Sequence, residues 1–326
     1  MVTLRQGTTR TGGAAAVVTV LALLMTTACG DSDSDDAGSG GEDTQVSVAA
    51  LPLTDSAALY IARDRGLFKK EGLDVRIQPV QQSIQALPAL SKGQVDVIAS
   101  ANYVTFLQAQ EKGTLDVRIL AEGVRTAPHM MDVLVPKDSP IKSADDLKGK
   151  KVAVNILNNI QTLTLDAILD ERGAGRPAYR QIAFPQMGAA LEKGQVDAVH
   201  VVEPFDGAIQ HDLKAKVLVD GAASPVESLP ISGYVTTAKY AKQNPDTAAK
   251  FKRAIEAASK IADADPAAVR KVVPTYSKVK SAQAESMGLP AYPPSTDVRQ
   301  LRRLTELMHK QGLLKKAVDP STLVVK

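Results

Sequence analysis

ALSKGQVDVIASAN, residues Ala89–Asn102, and ALEKGQVDAVHVVEP, residues Ala190–Pro204, share the pattern ALxKGQVD at an offset of 101 positions. Each reads as a helix end, a glycine turn and a strand that runs into a polar loop. Solenoid repeats recur every 20–50 residues or so, and many times. Two copies at domain spacing instead point to two similar halves.

The segments around each copy agree with that reading. From Val46 the chain alternates β-like runs (Val46–Leu51, Val75–Val80, Val95–Ser100, Val117–Glu122, Met131–Pro136) with helical ones (Ala57–Phe68, Ile84–Leu90, Tyr103–Glu111). The pattern restarts with strands at Lys150–Asn155, Tyr179–Phe184, Val196–Val202 and Lys216–Gly221, around a helix at Ile160–Arg172. Short connections between strands and helices predict parallel-rich α/β sheets. Beyond Tyr234 the chain turns helical, with Asn244-Pro245 and Asp265-Pro266 as helix starts and Ser295 as cap of a last helix ending at Gly312. The expected organisation is lobe 1 over 46–134, lobe 2 over 135–235, and C-terminal helices over 236–326 that return to lobe 1. Two crossovers are placed near 132–137 and 230–236.

The N-terminus reads as a leader. Residues 1–28 carry Arg5 and Arg10, no acid, and the run AAAVVTVLALLMTTA, short for a membrane span and typical of a signal peptide. Cys29, the only cysteine, follows at once. The stretch resembles a bacterial lipobox, with Thr26 where that pattern prefers Leu, so Cys29 is the expected lipidation site. A Gly, Ser and acidic run (Gly30–Thr44) follows, too polar to build a core, so 29–45 is expected to be a tether spanning roughly 20–25 Å as a coil. Without the leader the chain has 37 basic and 36 acidic residues. That balance gives no electrostatic footprint for nucleic acid.

"AALYIARDRGLFKKEGLDV", "ALPALSKGQVDVIASAN", "KKVAVNILNN" and "MGAALEKGQVDAVHVVEPF" resemble the nitrate/sulfonate/taurine class of solute-binding proteins of ABC importers, a class that includes thiamine-pyrimidine binders. The resemblance runs from about Val46 to Leu314. It implies a two-lobe, periplasmic-binding-protein-like α/β fold of type II with two hinge strands. It also implies a small-molecule ligand captured by closure, and permease and ATPase subunits as partners of a lipid-anchored, extracytoplasmic monomer. A sulfonate or taurine-like ligand comes first, then an aminopyrimidine, nitrate or another small anion, with an enzyme on the same fold last.

In open α/β sheets ligands lie beyond the carboxyl ends of strands, at helix N-termini. The loops so placed nominate Thr54, Asp55, Ser56, Ser83, Asn102, Asn155, Asn158, Asn159, Gln186 and Glu203 as ligand contacts. Asn102 and Glu203 occupy equivalent positions in the two repeat copies and are expected to face each other across the cleft. Ser83 and one of the asparagines after Val154 are equally good helix caps, and Glu203 could instead fix its own loop. No Arg or Lys falls in these loops, so a sulfonate would depend on N–H groups, hydroxyls and helix dipoles. Asp55 and Glu203 would suit an amino group, and Arg125 is the nearest basic residue.

Catalytic, metal and cofactor motifs are not found. There is no G-x-x-x-x-G-K-[ST], no H-E-x-x-H and no pair of cysteines. GAGRPA (Gly173–Ala178) follows a helix instead of opening one, so it is a C-cap and turn. His200 and Glu203, three apart on a strand, point to opposite faces. Enzymes of this class that make the thiamine pyrimidine depend on a cysteine-rich motif, which a chain with one cysteine lacks.

Overall fold

The computed structural model describes residues 43–316 and 318–325; the leader, Cys29 and most of the acidic run lie outside them. Lobe 1 is built from β1 (Thr44–Ala50), α1 (Ala57–Asp64), α2 (Leu67–Lys70), β2 (Leu73–Pro79), α3 (Leu87–Ser91), β3 (Val97–Asn102), α4 (Tyr103–Glu111) and β4 (Val117–Arg125). Lobe 2 holds β5 (Met131–Val135), β6 (Lys151–Val154), α5 (Ile160–Glu171), β7 (Ala178–Gln181), α6 (Phe184–Glu192), β8 (Ala198–Val202), α7 (Phe205–Leu213) and β9 (Lys216–Asp220). The chain then returns through β10 (Pro230–Thr237) to α8 (Ala238–Gln243), α9 (Pro245–Ala264), α10 (Pro266–Val272), α11 (Ser281–Ala284) and α12 (Val298–Lys310).

The two sheets have the same plan. Their strand orders are β2-β1-β3-β10-β4 and β7-β6-β8-β5-β9, so β1, β2, β3, β10 and β4 correspond to β6, β7, β8, β5 and β9. In each, three strands run parallel and an antiparallel strand (β10 or β5) lies beside the third. The central strands β3 and β8 are buried almost throughout, which accounts for their near-continuous apolar runs VIASAN and AVHVV.

The duplicated ALxKGQVD has a matching job in both sheets. Gly93 and Gly194 end helices with φ of 70° and 64°, a left-handed conformation that glycine adopts without a side-chain clash. Gln94 N donates to Ala89 O at 2.9 Å, and Gln195 N to Ala190 O at 3.0 Å. The repeat's aspartates then tie the incoming strand to its parallel neighbour. Asp96 Oδ2 accepts from Ser47 N at 2.8 Å, and Asp197 Oδ2 accepts from Lys151 N at 2.7 Å. The shared letters are therefore structural: they set the end of a helix and the register of the next strand.

The lobe crossings differ from the expected ones. The chain passes between sheets over 126–130 and 221–229, upstream of 132–137 and 230–236. Both β5 and β10 are apolar strands inserted antiparallel in the sheet that the chain has just entered, so β5 belongs with lobe 2 and β10 with lobe 1. An apolar strand beside a crossing has the same composition on either side of it, which is why the pattern misplaced both. β1 also starts at Thr44, two residues into the expected tether.

The C-terminal helices pack on lobe 1. α9 lies against α1 and α2, with the Phe68 and Phe251 rings stacked at 5.3 Å and Tyr234 edge-on to Phe251 at 5.9 Å. Burying a phenylalanine such as Phe251 contributes roughly 3–5 kcal/mol against alanine. Asp265 caps α10 through Ala267 N and Ala268 N. The last helix is capped by Asp297, which accepts from Arg299 N, and not by Ser295. Among the described residues no helix is long and apolar enough to cross a membrane.

Candidate functional site

The ends of β1, β3, β6 and β8 meet at a small chamber between the lobes, of about 40 Å3. That is space for a few waters at about 10–15 Å3 each. Five nominated residues line it: Asp55 and Ser83 from lobe 1, Asn102 from the end of β3, and Asn155 and Asn159 from the loop between β6 and α5. Apolar walls come from Leu51, Leu53, Ile156, Ile160, Phe184 and Ile231. A separate groove of about 650 Å3 has Pro52, Gln81, Pro185 and Pro204 in its wall, Pro52 and Pro185 being sequence neighbours of the chamber's Leu51, Leu53 and Phe184. Lys278 and Lys280 also line that groove.

The side chains in the chamber are held in place. Asn102 caps α4, its Oδ1 accepting from Thr105 N at 3.4 Å. Asn159 caps α5 by accepting from Gln161 N at 3.1 Å. Gln161, fully buried, accepts from Asn155 N at 2.9 Å and donates to the carbonyl of His200. Gln82 reaches from lobe 1 to Asn155 in lobe 2, donating to its carbonyl at 2.9 Å and to Oδ1 at 3.1 Å.

The other nominated residues lie elsewhere. Ser56 is behind the wall, donating to Leu51 O at 2.7 Å and sharing a hydrogen bond with Ser100 Oγ at 2.7 Å. Thr54 is fully buried outside the chamber lining, its Oγ1 donating to the Glu203 carbonyl at 3.5 Å while its own carbonyl accepts from Tyr292 Oη at 2.8 Å. Asn158 and Gln186 are exposed and outside the chamber. Arg125 is bound to the buried Glu122 at 2.6 and 3.1 Å.

Glu203 does not face Asn102. Its carboxylate accepts from Gly207 N at 3.0 Å, in the first turn of α7, and from Gly288 N at 3.1 Å, in the C-terminal segment. The reason is local. α7 opens with Pro204 at its N-cap, which offers no side-chain acceptor, so the preceding glutamate satisfies a free N–H of the first turn. Asn102 does the same for α4, and the equivalence of the two positions lies in capping.

Burial dominates the electrostatics. It raises the Asp55 carboxyl above its ordinary range, against the hydrogen bond from Ser232 Oγ at 2.5 Å. It pushes Glu203 up to about 7 and Asp206 up to about 8, with the charges of Asp132 and Glu203 adding to the rise at Asp206. Asp132 is pushed up to about 6, again by burial. His200 is fully buried and lowered to about 4. His129, Asp132 and Asp220 are the one group among the described residues that could hold a metal, with ligand atoms within 4.8 Å of one another. Asp220 Oδ1 already accepts from Ala222 N at 2.9 Å, and His129 Nδ1 meets Asp132 Oδ2 at 3.2 Å. The cluster braces the two crossings.

Sequence reasoning missed Ser100, Gln161 and Ser232, which also line the chamber. Ser232 lies on β10, a segment read as a crossover. Gln161 sits within the apolar run of α5, where a lone buried amide was the available signal. Ser100 has φ of 54° within the buried strand β3, which no residue type announces.

A family model described as NMT1/THI5 like matches residues 53–269. The chain belongs to the NMT1/THI5-like family. The NMT1/THI5-like match spans lobe 2 and most of lobe 1, and other known proteins extend it. A chain of Escherichia coli (strain K12) named for binding aliphatic sulfonates is 28% identical over 81% of this chain and 84% of that one. A Haemophilus influenzae chain (strain ATCC 51907 / DSM 11121 / KW20 / Rd) named for thiamine biosynthesis is 27% identical over 81% and 85%. The solved alkanesulfonate-binding protein SsuA from Xanthomonas axonopodis pv. citri, bound to MOPS, superposes with a TM-score of 0.72 at 21% identity. It covers 87% of this chain and 99% of its own. The two-lobe, periplasmic-binding-protein-like fold of this NMT1/THI5-like chain is therefore shared with a known binding protein.

Proposed function

We propose that this protein is an extracytoplasmic solute receptor that captures a small organic ligand between its lobes and delivers it to an ABC permease and its ATPase. The observation that carries this reading is the chamber itself: polar side chains from both lobes converge on it, and Gln82 bridges to Asn155 across it. At about 40 Å3 the chamber is too small to admit such a ligand while the lobes stay in this arrangement. Binding then requires the lobes to part about the crossings at 126–130 and 221–229 and close again, the rigid-body hinge motion of two-domain binding proteins.

A sulfonate or taurine-like ligand stands first, supported by the names of the E. coli relative and the Xanthomonas structure. An aminopyrimidine stands second, supported by the Haemophilus relative. Asp55, Ser83, Asn102, Asn155 and Asn159 are the proposed contacts. Residues 1–28 serve as leader, Cys29 as lipidation site and the acidic run as tether, which places a monomeric body on the outer face of the membrane. A thermal-shift screen of sulfonates, taurine, pyrimidines and small anions tests the function. One compound should raise the melting temperature, because a ligand that binds only the folded state stabilises it. Chemical turnover of that compound would replace the receptor by an enzyme.

A further inference from the structure

We infer that the solute presents a nitrogen-borne donor, as an amine or amino-heterocycle, to the free carboxylate oxygen of Asp55. The inference rests on the receptor reading and narrows its ligand class. Asp55 is 6% exposed and lines the chamber. One of its oxygens accepts from Ser232 Oγ at 2.5 Å; the other, Oδ1, is buried and has no partner among the described residues. Buried carboxylate oxygens are rarely left so, because an unmade hydrogen bond at a charged group costs more than a made one contributes.

Apart from the Ser232 hydroxyl on its other oxygen, the lining has no cationic group to meet Asp55. It holds no Arg, Lys or His, and Arg125 is spent on Glu122. The side-chain oxygens of Asn102, Asn159 and Gln161 are engaged with backbone N–H groups, and that of Asn155 with Gln82. The donors left for an anionic end are neutral, such as the Nδ2 groups of Asn102 and Asn155. A plain alkanesulfonate or nitrate would thus bring a negative charge beside a carboxyl group in a site without a cation, which opposes binding. A ligand with an N–H donor satisfies Asp55 Oδ1, and a charged amine also neutralises it. Taurine and an aminopyrimidine both fit; ethanesulfonate and nitrate do not.

The test compares matched pairs by calorimetry on the full chain: taurine with ethanesulfonate, and 4-amino-2-methylpyrimidine with 2-methylpyrimidine. In one pair the amino member should bind at least about tenfold tighter. Asp55→Asn should abolish that preference, a loss of about ten- to a hundredfold, since the charge-assisted hydrogen bond goes with the carboxylate. Equal binding of both members in each pair overturns the inference while leaving the receptor reading intact, as does amine affinity unchanged in Asp55→Asn. Binding of nitrate in preference to both amines, or no binding by either amine, overturns it too. Turnover of a probe instead removes the receptor reading on which it rests. The wild-type comparison needs no variant, so a misfolded Asp55→Asn leaves the inference open to refutation.

Discussion

Gln82 and Asn155 are joined across the cleft, the Gln82 amide donating to both oxygens of Asn155 at 2.9 and 3.1 Å. Gln82 precedes a helical turn of lobe 1, and Asn155 follows the first parallel strand of lobe 2, so under the proposed hinge motion the pair would latch the lobes together. Gln82→Ala should weaken binding of whichever ligand the screen identifies by about 1 kcal/mol, near fivefold, the usual net worth of a hydrogen bond. The ligand-free melting temperature should hold. Calorimetry reads the first quantity and a thermal scan the second; an unchanged affinity would show that the bond does not favour closure.

Asn102 has two tasks, and its variants separate them. Asn102→Ala removes the acceptor at the start of α4 and should cost about 1 kcal/mol of stability in denaturant unfolding. Asn102→Asp keeps that oxygen while losing the Nδ2 donor. It should preserve stability and still weaken ligand binding. A ligand affinity that survives Asn102→Asp would confine this residue to capping.

Glu203→Gln should act on the scaffold. The carboxylate holds two N–H groups, Gly207 N and Gly288 N, and an amide nitrogen in place of one oxygen would face a donor. The expected loss is about 1–3 kcal/mol of stability, with ligand affinity changed by less than about threefold. A large affinity loss at unchanged stability would return Glu203 to the ligand site.

Gly288 passes so close to the first crossing that a methyl group on its Cα would strike the carbonyl of His129. Gly288→Ala should therefore destabilise by about 1–3 kcal/mol through overpacking, lowering the melting temperature. A neutral outcome would show that the 126–130 crossing yields easily.

Stability should fall as pH rises from about 6.5 to 8. In the unfolded chain Glu203 and Asp206 are ionised well below this window, whereas in the folded protein they lose protons near 7 and 8. The folded state then binds more protons than the unfolded one, and stability declines with pH. His129, raised by Asp132, has the same sign. His200 works the other way, but its window lies lower, between 6.5 and about 4. Urea midpoints across this range should drop by at least about 1 kcal/mol equivalent. Asp206→Asn should flatten the curve.

Cys29→Ser should release the protein from membranes with its fold intact. Fractionation and mass spectrometry of the N-terminus check this. An uncleaved, unlipidated wild-type chain in the supernatant would remove the anchor.

The halves were legible in the sequence because a helix cap and a strand register need particular letters. Gly93, Gly194, Asp96 and Asp197 each answer to a backbone requirement that few residues meet. Strand ends near Asn155 and Asn102 were legible for the same reason. The crossings were not, since β5 and β10 are apolar wherever they pair. Glu203 misled because aligned positions share a local task, capping, while the C-terminal segment that also claims its carboxylate is about 85 residues away in sequence. Gln161 and Ser232 enter the chamber through tertiary packing that no local pattern encodes.

The place of β10 has a consequence for how the chain assembles. β10 lies between β3 and β4, so the first sheet stays split until residues 230–237 arrive. The second sheet is drawn from one continuous run, 131–220, and needs nothing from either end. Its contacts close shorter loops, which form sooner. As the chain is delivered N-terminus first, the half that begins the sequence waits for the half that follows it. Until then β3 and β4 expose unpaired edges of the kind that recruit other chains. A fragment ending at residue 229 should accordingly keep an ordered second lobe and an aggregation-prone first one.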